Sequence, residues 1–129
     1  MRLLVVSQYF WPENFRINDL VTELVRRGHQ VTVLTGLPNY PDGKIFQEFC
    51  DDPSRYSHYE GAEVIRVPLM PREQGGVRLM LNYLTFAVSA SVIGLWKLRA
   101  RQFDAILAYE PSPITVGLPA AVMRAVKQA

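Results

Sequence analysis

The fold is decided by residues 3–35, LLVVSQYFWPENFRINDLVTELVRRGHQVTVLT. This stretch opens and closes with β-branched apolar runs, residues 3–6 and 31–35, which are typical of buried parallel strands. Between them, apolar residues recur at the spacing of one helix face, at Ile17, Leu20, Val21, Leu24 and Val25. Gly28 follows the last of these and suits the end of a helix. The stretch therefore predicts a strand–helix–strand unit whose two strands are parallel, with a right-handed crossover.

The rest of the chain adds elements of the same kinds. Residues 63–67 and 103–109 are the predicted third and fourth strands, and Ile106, Leu107 and Ala108 are expected to be buried. A long helix is predicted between them, over residues 76–100, and a last helix after an N-cap at Ser112, with a kink at Pro119. Residues 36–62 are rich in proline and glycine and are predicted to be irregular. The fold class is therefore α/β, with an open, mostly parallel Rossmann-like sheet in strand order 3-2-1-4 and helices on both faces.

Composition narrows the class of protein. The chain has 129 residues, of which 49% are hydrophobic and 20% charged, so it predicts one globular domain and excludes a disordered chain. A net charge of +2 is too small to indicate a nucleic-acid partner. The apolar run at the start is too short for a signal peptide, so a cytoplasmic location is predicted. Because the chain ends in a helix where such a domain normally continues, we expect residues 1–129 to be the truncated front part of a longer protein.

Ligands of such sheets bind beyond the carboxyl ends of the strands, and the first loop there is residues 7–18. It contains no glycine, which excludes a dinucleotide-binding GxGxxG turn and a Walker A loop. What remains is a helix N-terminus with Asn14 and Arg16, which could face a diphosphate. The alternative is that Tyr9, Phe10 and Trp11 simply pack the loop and that Arg16 is a surface charge.

The second and third loops offer polar groups. Asn39 and Tyr40 lie in a stiff, proline-rich segment and could hold a sugar, although such a segment is also typical of a plain connector. Glu110 follows the fourth strand and could act as a base. Alternatively, it sits near the start of the next helix, where the helix dipole stabilises its charge. The two histidines and the single cysteine lack metal-ligand spacing, so no metal is expected.

The predicted long helix is unusual because residues 79–95 contain no charge. Its only polar stripe is the narrow set Asn82, Thr85 and Ser89, whereas a helix covering a sheet normally shows water a broad polar face. Basic residues flank the uncharged segment, namely Arg78, Lys97, Arg99 and Arg101. Three interpretations compete: burial by further parts of the protein, contact with an anionic membrane surface, and a membrane span, which the return of the chain to the sheet makes improbable.

Several stretches resemble a known family. LVVSQYFWPE (residues 4–13), NFRINDL (14–20) and RGH (27–29) with VTVLT (31–35) are similar to the start of family-4 glycosyltransferases of the GT-B fold. GLPNYP (36–41), PSP (111–113) and VGLP (116–119) resemble a narrower bacterial group, which is assigned to L-fucosamine transfer in O-antigen, capsule or colanic-acid synthesis. The resemblance covers essentially the whole chain.

The resemblance implies two Rossmann-like domains that face a cleft. Residues 1–129 would be the acceptor-side domain, and the C-terminal domain, which binds the nucleotide sugar, would be absent from this chain. Transfer would proceed with retention and without a metal or cofactor other than the nucleotide-diphosphate sugar. The acceptor would be a lipid-linked saccharide contacted by Asn39, Tyr40 and Ser112, and the basic-flanked helix would hold the enzyme peripherally on the inner face of the cytoplasmic membrane.

The first loop departs from the family pattern because it lacks glycine. This shifts the expected contact with the donor phosphate to Asn14 and Arg16. The catalytic residues stay unassigned, with Glu110 as a weak candidate. The alternative function is a non-catalytic sugar- or nucleotide-binding α/β module.

Overall fold

The computed structural model of the chain describes residues 1–13, 16–38, 45, 47–69, 76–109 and 117–127. Its strands are β1 (Arg2–Ser7), β2 (Gln30–Gly36), β3 (His58–Tyr59), β4 (Ala62–Val67) and β5 (Ala105–Tyr109). Its helices are α1 (Arg16–Arg26), α2 (Gln47–Asp51), α3 (Gly76–Ser89), α4 (Leu95–Lys97) and α5 (Gly117–Lys127). A 3-10 turn covers Pro53–Tyr56, and a π-helical turn, Ala90–Gly94, joins α3 to α4. We call the continuous helical stretch over residues 76–97 the long helix.

The described strands form one sheet in the order β3-β4-β2-β1-β5. All neighbouring pairs are parallel except β3 with β4. The predicted order is therefore confirmed, and the short antiparallel β3 is an addition at the edge. Gly28 adopts a φ of +92°, which a side chain would disfavour, and it ends α1 as predicted.

Side chains alternate between the two faces of the sheet and build a core on each. One core joins the sheet to the long helix and α5, and it contains Leu4, Val6, Leu34, Phe86, Ala90, Leu98 and Met123. The other joins the sheet to α1, and it contains Val5, Phe10, Ile17, Val21, Val31 and Val33. Helices thus cover both faces, which confirms the predicted fold class.

The long helix carries two stripes with a spacing of four residues. The inner stripe is buried; it consists of Asn82, Phe86, Ala90 and Gly94 and continues to Leu98, just after the helix. The outer stripe, which we call the apolar ridge, consists of Met80, Leu84, Val88, Val92 and Trp96, each between 46% and 64% exposed. A four-residue step overshoots one α-helical turn by about 40°, so the stripes would wind around a regular helix. The π turn has more residues per turn, and it offsets part of this drift and keeps both stripes on their faces.

Three sequence-based expectations were wrong in detail. Residues 36–62 are not wholly irregular, because α2, the 3-10 turn and β3 lie among them. The fourth strand begins at Ala105; Ile106 and Ala108 are only half-buried and Leu107 is 40% exposed, because β5 is an edge strand of the described sheet. Asn82 does not face water with Thr85 and Ser89: it is fully buried against the sheet side. The predicted cap at Ser112 lies outside the described residues, and Pro119 is the third residue of α5.

No helix in the described ranges is long and apolar enough to cross a bilayer.

Candidate functional site

The carboxyl ends of four strands meet at one edge of the sheet. Ser7 ends β1 opposite Tyr109 of β5, and Gly36 ends β2 opposite Val67 of β4. β1 lies between β2 and β5. The chain therefore passes from β1 to β2 on one side, and after the long helix it returns to β5 on the other side of β1. This is the switch point at which open α/β sheets bind ligands. We therefore take this edge as the candidate site.

The loop that follows β1 is held by its own polar groups rather than by glycine. The hydroxyl of Ser7 donates to the carbonyl of Tyr9 at 2.6 Å, and the amide of Glu13 donates to the carbonyl of Phe10 at 2.9 Å. The Nδ2 of Asn18, on the first turn of α1, donates to the carbonyl of Glu13 at 2.7 Å. All five residues are buried. These bonds hold the loop against the edge of the sheet, and Tyr9 and Phe10 pack it.

Arg66 is a functional candidate that sequence reasoning missed. It is the next-to-last residue of β4, and its guanidinium donates to the carbonyl of Gly36 at 3.2 Å and to the carbonyl of Trp11. It therefore ties together three segments of the candidate edge. Burial lowers the pKa of Arg66 to about 10, and the negative charge of Glu13 acts in the opposite direction. An arginine near the carboxyl end of an apolar strand was the available signal.

A wall of aromatic rings stands beside the first loop. Trp11 lies 5.0 Å from Tyr56 and 5.1 Å from Tyr59, measured between ring centroids. Phe10 meets Tyr59 edge-on at 5.3 Å, and the Arg66 guanidinium lies 5.4 Å from the ring centre of Phe49. The segment that carries α2, the 3-10 turn and β3 thus folds onto the loop through ring contacts. Because the two rings of the loop lie more than 35 residues before the other three in sequence, no local pattern could predict the wall.

Of the residues predicted to face the donor phosphate, the structure describes Arg16. It is the first residue of α1 and its side chain is exposed. Among the described residues, no carboxylate lies within ion-pair distance of its guanidinium. Asn14, Asn39, Tyr40, Glu110 and Ser112 lie outside the described residues.

The predicted membrane-facing residues have different surroundings. The guanidinium of Arg99 lies 4.8 Å from the ring centre of Trp96, at the end of the apolar ridge. The ammonium of Lys97 donates to the carbonyl of Arg66 at 3.0 Å, and Arg101 forms a two-point ion pair with Glu63. The backbone of Arg78 lies in α3, but its side chain is outside what the structure describes. Among the basic side chains that the structure describes here, Arg99 is the one in ring contact with the apolar ridge.

A pocket of about 270 Å³ lies at the opposite edge of the sheet and includes Arg2 and Arg101 in its lining. Arg2 pairs with Asp104 at 3.6 Å, and Arg101 pairs with Glu63. The two positive charges are therefore matched by two negative ones, which does not favour a phosphate there. Across the described ranges, no three histidine, cysteine or acidic side chains form a group that could hold a metal ion.

The fold is the one expected for the glycosyltransferase class that the sequence resembles. The family model described as "Glycosyl transferase 4-like domain" matches residues 14–128, and the chain belongs to this family. The chain is also 30% identical over 118 residues to WcaI of Escherichia coli (strain K12), which is named for a glycosyl transferase role in colanic acid biosynthesis. That match covers 87% of this chain and 28% of WcaI, so the chain spans less than a third of the length of this relative.

Proposed function

We propose that this chain is the N-terminal, acceptor-side domain of a retaining glycosyltransferase of bacterial surface-polysaccharide synthesis. The enzyme transfers a sugar, with L-fucosamine or a related deoxy or amino sugar as the first candidate, from a nucleotide-diphosphate donor to a lipid-linked saccharide. The donor is held mainly by a C-terminal domain, without a metal. Membership of the family and the likeness to WcaI support the transferase assignment.

The single observation that supports a lipid-linked acceptor is the apolar ridge of the long helix. Five large apolar side chains point outward in one line from residue 80 to residue 96, a length of about 24 Å. An exposed apolar surface of this kind marks an interaction site. No acidic residue occurs between residues 76 and 103, so the charges along the long helix are basic only. Basic charge beside an apolar line fits an anionic lipid surface, with Trp96 and Arg99 at the level of the headgroups.

The roles proposed at the candidate edge rest on the positions of the residues in the sequence and on the resemblance to the family. Asn14 and Arg16 face the donor diphosphate from the start of α1, where helix N–H groups favour negative charge. Asn39, Tyr40 and Ser112 contact the acceptor, and Glu110 is the candidate for a catalytic group. Arg66 acts by holding the carbonyls of Gly36 and Trp11, and therefore the shape of the edge.

Membrane contact is tested with the two tryptophans of the chain. In the full-length protein, Trp11→Phe leaves Trp96 as the reporter within these 129 residues, and Trp96→Phe leaves Trp11. With phosphatidylglycerol vesicles that contain brominated acyl chains, we expect quenching of Trp96 and none of Trp11. Absence of Trp96 quenching overturns the membrane contact, and a concentration-dependent dimer without vesicle binding assigns the ridge to a second copy.

Transfer is tested with labelled nucleotide sugars and a bacterial lipid extract. We expect label to move into the organic-soluble fraction in the presence of the full-length protein. Label that stays with water-soluble products contradicts the lipid-linked acceptor. Nucleotide binding without any transfer favours the non-catalytic binding module.

A further inference from the structure

Asn82 connects the long helix to the loop that follows β1. Its side-chain oxygen accepts two hydrogen bonds, from the Nε2 of Gln8 at 2.7 Å and from the hydroxyl of Tyr9 at 2.9 Å. All three residues are buried. Buried hydrogen bonds of this kind are strong locally, and loss of the shared acceptor would break both of them at once. One amide oxygen therefore fixes the first two residues of the loop to the helix.

Gln8 carries this connection further, to the end of β2. Its main-chain carbonyl accepts the hydroxyl of Thr35 at 3.2 Å and the amide of Gly36 at 3.3 Å. A Cβ at Gly36 would lie 3.2 Å from the same carbonyl, so the approach of the two segments is close. The position of the helix is thus linked to two of the loops at the candidate edge.

The opposite face of the same helical turn carries the apolar ridge. Met80 and Leu84 stand two residues before and after Asn82, and both are exposed. A two-residue step is about 200° around a helix, so the ridge and Asn82 lie on opposite faces. Anything that fixes the outer face of this turn also restricts the movement of the buried amide.

We propose that Asn82 is a positioning residue, through which contact of the apolar ridge with a lipid surface orders the loop after β1. This rests on the proposed function, since it takes an anionic membrane as the surface that the ridge meets. A lipid surface can change the loop only if it binds more tightly to one position of the long helix on the sheet than to others. The two hydrogen bonds to Gln8 and Tyr9 then transmit that preference to the loop. The acceptor site is then best formed on the enzyme that is already at the membrane.

The experiment is hydrogen–deuterium exchange of the full-length protein, with and without phosphatidylglycerol vesicles. Two peptides are followed, one over residues 8–13 and one over the ridge residues 80–92. In the wild type, vesicles are expected to slow exchange in both, by about fivefold in the loop, the equivalent of one net hydrogen bond. Asn82→Leu has a similar size but no acceptor, and there the ridge peptide stays protected while the loop no longer responds.

Two further variants test whether Asn82→Leu changes the loop response only by disturbing the fold. Asn82→Asp keeps an acceptor for both donors and is expected to restore the loop response. Ser91→Ala removes a hydroxyl that bonds the carbonyl of Ala87 within the helix, and it should leave both responses unchanged. Urea unfolding of each variant reports whether the fold is intact.

The outcomes separate this inference from the proposed function. A loop that responds to vesicles in Asn82→Leu, or one that does not respond in the wild type while the ridge is protected, overturns the role of Asn82 and leaves membrane contact standing. An unprotected ridge in the wild type overturns membrane contact, and the inference fails with it. If Asn82→Leu does not fold, the absence of a loop response in Asn82→Asp overturns the inference.

Discussion

Arg101 holds the carboxylate of Glu63 through both terminal guanidinium nitrogens, with Nη2 at 2.9 Å from Oε1. The pair ties the chain that leaves the long helix to β4. Its formation lowers the pKa of Glu63, first through the hydrogen bonds from Arg101 and also through the charge of Arg101. Both side chains are more than a third exposed, so solvent screens the pair.

Replacement of Glu63 by Gln should therefore have a small, pH-dependent effect on stability. Because the pKa of Glu63 is lower in the folded state, its contribution is full above the unfolded value near 4.5 and is lost as the pH falls through the folded value. We expect Glu63→Gln to reduce the free energy of unfolding by about 0.5 kcal/mol at pH 7. Urea unfolding at pH 7 and pH 3 measures this, and the difference should shrink at pH 3. Glu48→Gln, an exposed site on α2, is the control, and an equal effect there contradicts the prediction.

Arg16 should matter to donor turnover in the full-length enzyme. A preset positive group at a departing diphosphate stabilises the transition state, and its removal commonly lowers the rate by about 10²-fold. We expect Arg16→Ala to lower kcat/KM for the donor by about that factor. Arg27→Ala removes the same charge at the far end of α1 and should leave kcat/KM unchanged. An unaltered rate for Arg16→Ala, with the circular dichroism of the wild type, returns Arg16 to the role of a surface charge.

Arg99 should contribute to vesicle binding because it borders the ridge beside Trp96. One basic residue near an anionic surface is worth about 1 kcal/mol, or roughly fivefold in partitioning. We expect Arg99→Gln to weaken binding to phosphatidylglycerol vesicles by this factor at low salt and less at high salt. Arg26→Gln makes the same charge change on α1, across the sheet from the long helix. Co-sedimentation compares the two, and equal losses would indicate that only the net charge matters.

Gly94 should not accept a large side chain. A Cβ there would lie 2.7 Å from Cδ2 of Leu34 on β2, so the helix and sheet already touch at this point. We expect Gly94→Leu to reduce the free energy of unfolding by about 1–3 kcal/mol through overpacking. Val92→Leu adds bulk to the exposed ridge two residues earlier and should change it by less than about 0.5 kcal/mol. Urea unfolding measures both, and equal stabilities would mean that the core can rearrange around residue 94.

Residues 3–35 were sufficient to predict the first strand–helix–strand unit, and the apolar runs at residues 63–67 and 103–109 completed the predicted strand order. The apolar runs are typical of buried strands, and the spacing between them is typical of a helix. The right-handed crossover of parallel strands then leaves few possible sheet topologies. The π turn escaped prediction because spacings of three and four residues are hard to distinguish over a few turns. The burial of Asn82 escaped it for a related reason, since a polar residue is expected to face water unless its partners, here Gln8 and Tyr9, are known.

The sequence predicted where the candidate edge lies, but only some of the residues that form it. The ends of β1, β2 and β5 meet there as expected from the parallel order. Arg66 was missed because its role consists of contacts with the carbonyls of Gly36 and Trp11, which lie 30 and 55 residues away. Sequence patterns report periodicity within an element, whereas these contacts depend on how elements meet.

The long helix returns the chain between two parallel strands, so its axis runs roughly against theirs. On a bilayer, a contact line of about 24 Å would therefore lay the strands along the surface rather than upright on it. The loop edge would then open sideways, level with the headgroups. An acceptor anchored in the same leaflet would enter by lateral diffusion, and the search for substrate would take place in two dimensions.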